Sequence, residues 1–312
     1  MSIAAHARTV WPVVRRLVHA PAAPSGSPWS VAVPDPMAGE VRLTGSLRTT
    51  PASSTVLVLV HGLGGSAESS YMGQSVQVAD ELGLSTLRLN LRGADGRGED
   101  LYHGGLSSDL ASVLASPELA RFATVLLFGF SLGGHLSLRF ATECEDPRLR
   151  AVAAASSPLD LDRSVAGIDQ PSGWIYRRYV LSGLCAMYAE VAARRDLPLS
   201  VADARRIRLI RDWDRHTVAP RFGFADPEDY YRQASVAGRL GELRAPALLV
   251  AARDDPMVPS QAIDQGLSGA SDGFTLRWSR RGGHLAFPAD LDLGEEAPLG
   301  LIPQVIAWLA RQ

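Results

Sequence analysis

The chain contains no lysine: all 31 of its basic residues are arginine. That absence excludes chemistry that depends on an ε-amine, such as a Schiff base or a P-loop lysine gripping phosphate. Codon bias in a GC-rich genome is the plain source of so one-sided a composition. Cysteine is nearly as scarce. Cys144 and Cys185 make neither a metal-ligand spacing nor a disulfide framework, and read as apolar fillers. Long apolar runs are missing as well, none reaching the roughly 20 residues that a membrane-spanning helix needs. The first twenty residues are broken by His6, Arg8, Pro12, Arg15 and Arg16, so they lack the apolar centre of a secretory signal and read as a weakly amphipathic helix packed on its own protein. A formal net charge of -2 and a pI near 6.4 give no reason to expect nucleic acid or an anionic membrane as partner. These absences point to a cytoplasmic protein without stable membrane insertion, acting on small neutral molecules; they leave the oligomeric state open.

What is present is an alternation of short apolar runs with helical stretches, the pattern of an α/β fold with a mostly parallel sheet and helices on both faces. Eight runs read as strands. Residues 29–34 and 40–47 form an opening antiparallel pair across a turn with proline and glycine. Then follow 55–60, 84–90, 124–129, 151–156, 247–252 and 274–279. The sheet domain is thus expected over 29–158 and 247–312, after an N-terminal helix and linker at 1–28. Residues 159–246 interrupt it with apolar residues at three- and four-residue spacing, and read as an inserted helical lid. Trp174, Tyr176, Tyr179 and Tyr188 in that insertion are expected mainly in its own core, with the lining of a pocket as the alternative.

The segment GFSLGG at 129–134 carries the sharpest chemical signal. A GxSxG pattern alone is modest, but here it follows an apolar strand directly and opens a helix-compatible stretch, the strand–turn–helix setting that exposes a nucleophilic serine. Gly129 and Gly133 fit a sharp turn that strains Ser131 and leaves no room for a neighbouring Cβ. His135, one helical turn on, would project from the helix flank and is expected to be a packing residue.

A serine hydroxyl needs an imidazole to take its proton and a carboxylate to orient that imidazole. With the nucleophile on this kind of turn, the acid follows one late strand and the histidine the next. His284, after the last predicted strand and after Gly282 and Gly283, is the expected base. Asp254 and Asp255 compete as the acid; Asp255 is favoured because an Asp-x-x-x-Pro turn begins there. The oxyanion needs two donors. The amide of Leu132, next to the nucleophile at a helix N-terminus, is one. The HGLGG loop at 61–65 supplies the other, with Leu63 the first choice and Gly64 the second.

Further motifs lie in order along the chain: NLRG at 90–93, YHGG at 102–105 followed by Asp109, SPLDL at 157–161, FADPEDYYRQAS at 224–235, DDPMVP at 254–259 and GGHLAF at 282–287. With HGLGG and GFSLGG they resemble the YheT-like branch of the α/β-hydrolases, over about residues 55–290. The chain departs from that pattern at Ala286, where glycine is usual, and at His135, where asparagine is frequent. The resemblance implies an α/β-hydrolase fold with Ser131, Asp255 and His284 as its triad, and carboxylic esters as substrates. The expected reaction is hydrolysis of short- to medium-chain esters through an acyl-enzyme, with no cofactor and no metal. Acyl transfer to an alcohol by the same triad is the alternative within enzymes, and a ligand receptor with a vestigial site the alternative outside them. Ser131 stands where dehalogenases and epoxide hydrolases carry aspartate.

Overall fold

A computed structural model describes residues 23–97 and 99–312 of the protein. The expected N-terminal helix lies in residues 1–22, outside that range; the expected linker ends early, because a strand already begins at Ser27. Eight strands form a single sheet: β1 (Ser27–Asp35), β2 (Gly39–Arg48), β3 (Thr55–Val60), β4 (Ser85–Asn90), β5 (Thr124–Phe130), β6 (Leu149–Ala155), β7 (Ala247–Ala252) and β8 (Phe274–Ser279). Their spatial order is β1-β2-β4-β3-β5-β6-β7-β8. The β1/β2 and β2/β4 pairs are antiparallel, and the sheet from β4 to β8 is parallel.

The apolar runs make strands because both of their faces are covered. Val56, Val58, Val60, Val125, Leu127, Val152 and Leu249 belong to one core cluster, and the intervening Leu57, Leu59, Leu126, Phe128, Ala153 and Val250 to another. A one-residue slip of register would exchange the two sets. Helices of eight residues or more are labelled α1 (Ser70–Glu81), α2 (Ser107–Ala115), α3 (Leu132–Glu143), α4 (Leu161–Ile168), α5 (Trp174–Ala192), α6 (Pro227–Ala234) and α7 (Leu301–Arg311). Leu110 and Val113 of α2 and Leu136 and Phe140 of α3 complete the first cluster. Met72 and Val76 of α1 and Val305, Ile306 and Leu309 of α7 complete the second. Each fully buried Leu or Val contributes about 1.5–3 kcal/mol, so the two clusters dominate the fold's stability.

Between β6 and β7 the chain leaves the sheet for a helical insertion with its own core of Tyr176, Val180, Leu184, Tyr188, Trp213 and Tyr231. Capping sets its helix starts: Asp160 accepts from the Arg163 amide ahead of α4, and Asp226 from the Asp229 amide ahead of α6, with Pro227 next in line. The four aromatic residues of α5 divide. Tyr176 and Tyr188 are buried, whereas Trp174 and Tyr179 face solvent, against the expectation of core. Cys144 and Cys185 are only partly buried, and both are free thiols.

A buried ion network joins the insertion to the sheet domain. Arg92 of the NLRG motif bonds Asp109 through Nε and Nη2 (2.8 and 2.6 Å) and Asp35 through Nη1 (2.6 Å). Arg221 of the insertion pairs with Asp100 beside it, Nε to Oδ1 at 3.0 Å. Burial alone would raise the Asp35 pKa, but its hydrogen bond with Arg92 and two backbone amides hold it at about 2. Among the described residues, no helix is long and apolar enough to cross a membrane.

Candidate active site

The site forms at the carboxyl end of the parallel strands, from the loops after β3, β5, β7 and β8, where open α/β sheets collect their ligands. The turn from β5 into α3 places Ser131 at φ 52°, ψ -121°, a region that side chains other than glycine enter only under strain. Its glycine neighbours are explained by contact. A Cβ on Gly129 would lie 2.4 Å from the Gly133 carbonyl oxygen, and one on Gly133 2.3 Å from the carbonyl oxygen of His61. Either substitution forces the elbow open.

The structure brings Ser131, His284 and Asp255 together. His284 Nε2 lies 3.0 Å from Ser131 Oγ, and His284 Nδ1 lies 3.0 and 3.2 Å from the two carboxylate oxygens of Asp255. A carboxylate there accepts, so the Nδ1 position carries the proton and Nε2 is left to accept from the serine hydroxyl. Asp255 is buried and held by the amides of Met257 (2.8 Å) and Val258 (3.1 Å). Asp254 is exposed, and its neighbour takes the contact with His284. His135 is buried away from Ser131, its ring nitrogens 2.9 Å from the Pro158 carbonyl and 3.0 Å from that of Ala234. It tethers α3 to the insertion.

The HGLGG loop lies directly on Ser131: a Cβ on Gly62 would sit 3.1 Å from Ser131 Cβ. The loop's amides are almost all engaged. Gly62 N donates to Tyr71 Oη (3.1 Å), Gly64 N to Tyr102 Oη (2.8 Å) and Gly65 N to the Gly62 carbonyl (3.0 Å). Leu63 N is left without a hydrogen-bond partner among the described residues, as is Leu132 N at the start of α3. Gly64, the second choice from sequence, is thus occupied. His61 fixes the base of the loop: its Nε2 accepts from Leu91 N (3.1 Å) and its Nδ1 faces the Gly62 carbonyl (2.8 Å). Complete burial pushes its pKa down to about 4, so the ring stays neutral.

Three residues that support the site escape sequence reasoning. Ser156 directly follows β6 at φ 50°, and its hydroxyl accepts from the amide of Leu285, the residue after His284, at 3.1 Å. Tyr71 and Tyr102 hold the oxyanion loop through their hydroxyls. Tyr102 lies in the YHGG motif, which flags the segment without assigning it a role; Ser156 and Tyr71 carry no motif at all. The insertion lies across this site. Leu63, Leu132 and Met257 pack against its core as well as flanking the catalytic loops, and Gly183 of α5 touches Gly64, its ideal Cβ only 3.2 Å from the Gly64 Cα.

Comparison with known proteins identifies the family. The model of the alpha/beta hydrolase family matches residues 57–293. The Escherichia coli K12 protein named "Putative esterase YheT" is 31% identical over 239 residues, which cover 74% of this chain and 70% of that one. Mouse phospholipase ABHD3 is 27% identical over 241 residues, and the chain spans only 58% of its length. The yeast monoacylglycerol lipase is 27% identical over 251 residues, 75% of this chain and 55% of the lipase. Among solved structures, the Pyrococcus furiosus esterase Pf2001 superposes with a TM-score of 0.54 at 15% identity, over 84% of this chain and 85% of its own, which shows the shared fold. The chain is a hydrolase that belongs to the alpha/beta hydrolase family, in the YheT-like branch.

Proposed function

We propose that the protein is a serine carboxylesterase acting on esters of short to medium acyl chain. The observation that carries this reading is the continuous chain of hydrogen bonds from Ser131 through His284 to Asp255, with the free amides of Leu63 and Leu132 beside it. His284 draws the proton from Ser131 Oγ as the hydroxyl attacks the ester carbonyl. The two amides stabilise the oxyanion, each worth roughly 3–4 kcal/mol. The imidazolium, balanced by Asp255, protonates the leaving alcohol, and an acyl-enzyme remains. Water activated by the same histidine releases the acid. The insertion serves as a lid, because its core packs on the oxyanion loop and on Leu132. Every step is carried by protein groups, without cofactor or metal. Replacing Ser131 by alanine is expected to lower turnover of p-nitrophenyl butyrate by at least 10⁴-fold with the fold intact. Retention of a tenth of the activity contradicts the mechanism.

A further inference from the structure

The outer face of α5 is unusual for the surface of a free helix. Trp174 is 56% exposed, Ile175 40% and Tyr179 64%, and Leu209 beside them 36%. The first three share one side of the helix with Arg178 and Ser182, at positions i, i+1, i+4, i+5 and i+8. The segment 205–209 is fastened alongside: Arg177 Nε donates to the Arg208 carbonyl (2.8 Å), and Cys185 Sγ contacts the Ala204 carbonyl (3.6 Å). That segment adds Arg205, Arg206 and Arg208, all exposed. Arg206 pairs with Asp203, but Arg178, Arg205 and Arg208 have no carboxylate within 4.0 Å among the described residues. Over residues 168–210 seven arginines meet four carboxylates, a local positive surplus that the net charge of the whole chain conceals.

We propose that this face docks on a phospholipid membrane carrying anionic headgroups. The chemistry is complementary on both counts: Trp and Tyr settle at headgroup depth with their rings toward the acyl chains, and guanidinium groups without a carboxylate partner bind phosphate. Each arginine near an anionic surface is worth about fivefold in partitioning. Docking is peripheral, without a spanning helix. The same helix lies against the oxyanion loop on its inner side, through Gly183 on Gly64, and against the NLRG loop after β4, through Met187 beside Gly93. Contact with the membrane therefore pulls on the element that covers the site, and delivers ester lipids where they are concentrated. That consequence rests on the ester-hydrolase reading; the docking itself does not.

The test is cosedimentation of the full chain with vesicles of phosphatidylcholine containing 30 mol% phosphatidylglycerol, and with phosphatidylcholine alone. The S131A form is used in parallel, so that binding is read apart from turnover. The wild type and S131A are expected to bind the anionic vesicles equally, and more weakly as salt rises. The W174S/Y179S and R178Q/R205Q/R208Q variants are expected to bind at least tenfold more weakly, with hydrolysis of a soluble short ester unchanged within twofold. Wild-type protein that stays in the supernatant, or variants that bind as it does, overturn the proposal. So does a wild-type dimer in solution that W174S/Y179S converts to monomer, since the face then meets a second copy of the chain. Binding without any ester turnover instead leaves the docking standing and removes the esterase reading.

Discussion

Asp255 and Asp254 are adjacent in sequence and alike in chemistry, so they offer a sharp internal control. In Asp255→Asn the amide oxygen keeps the bonds from Met257 and Val258, and the side chain keeps its shape. Its NH2 group, however, now faces His284 Nδ1, which must accept instead of donate. The ring proton moves to Nε2, and the nitrogen 3.0 Å from Ser131 Oγ can no longer take the serine proton. In a serine protease the corresponding exchange lowers kcat about 10⁴-fold, and the same loss here corresponds to about 5 kcal/mol of transition-state stabilisation. The effect belongs in kcat with KM nearly constant, since substrate binding does not use the carboxylate. Asp254→Asn changes an exposed group and is expected to stay within twofold of wild type. Steady-state hydrolysis of p-nitrophenyl butyrate measures both variants, with circular dichroism to check folding. The reasoning fails if D255N keeps more than a tenth of the wild-type kcat, or if D254N falls as far.

Two further outcomes follow from groups around the site. Tyr102→Phe removes the acceptor for Gly64 N, a part-buried donor of an exposed residue, at a cost of about 1 kcal/mol; a slightly lowered Tm and about a fivefold drop in kcat are expected, short of the loss of a whole oxyanion donor. An unchanged kcat in Y102F would separate the loop's support from catalysis. Asp214, in the π-helical turn Asp214–Val218 of the insertion, is pushed up to about 7 by burial, with only the Tyr231 hydroxyl at 2.6 Å opposing that rise by direct contact. Its folded pKa exceeds the unfolded value, so its contribution is fully present below about pH 4 and is lost as pH rises through 7, on the order of 4 kcal/mol in all. Asp214→Asn is therefore expected to be more stable than wild type to urea at pH 8, with the gap narrowing toward pH 5; a gap that does not change with pH contradicts the assignment.

The sheet is legible because four of its strands, β3, β5, β6 and β7, are apolar on both faces, a pattern that tolerates little besides a covered parallel sheet, and the others alternate apolar with polar residues. The elbow at Ser131 is legible because the turn imposes glycine on both sides of it for steric reasons visible in the contacts of Gly129 and Gly133. That Asp255 and not Asp254 meets His284 is legible because the Asp-x-x-x-Pro turn uses the carboxylate itself, which accepts from Met257 and Val258. What supports those groups is not legible. The Ser156 hydroxyl meets the Leu285 amide 129 positions away, and the Tyr71 hydroxyl reaches back nine positions to the Gly62 amide; no local pattern announces either meeting. Helical spacing in α5 likewise shows that one side is buried but not which aromatic residues lie on it: Trp174 and Tyr176 are two positions apart and face opposite ways.

Ser131 is the centre of the account, and its reactivity can be read directly. The protein is treated with a fluorophosphonate, and the adduct is located by peptide mass spectrometry. One adduct on Ser131 is predicted, lost in S131A and strongly slowed in D255N. No adduct, or one on another serine of the intact protein, contradicts the assignment of Ser131 as nucleophile.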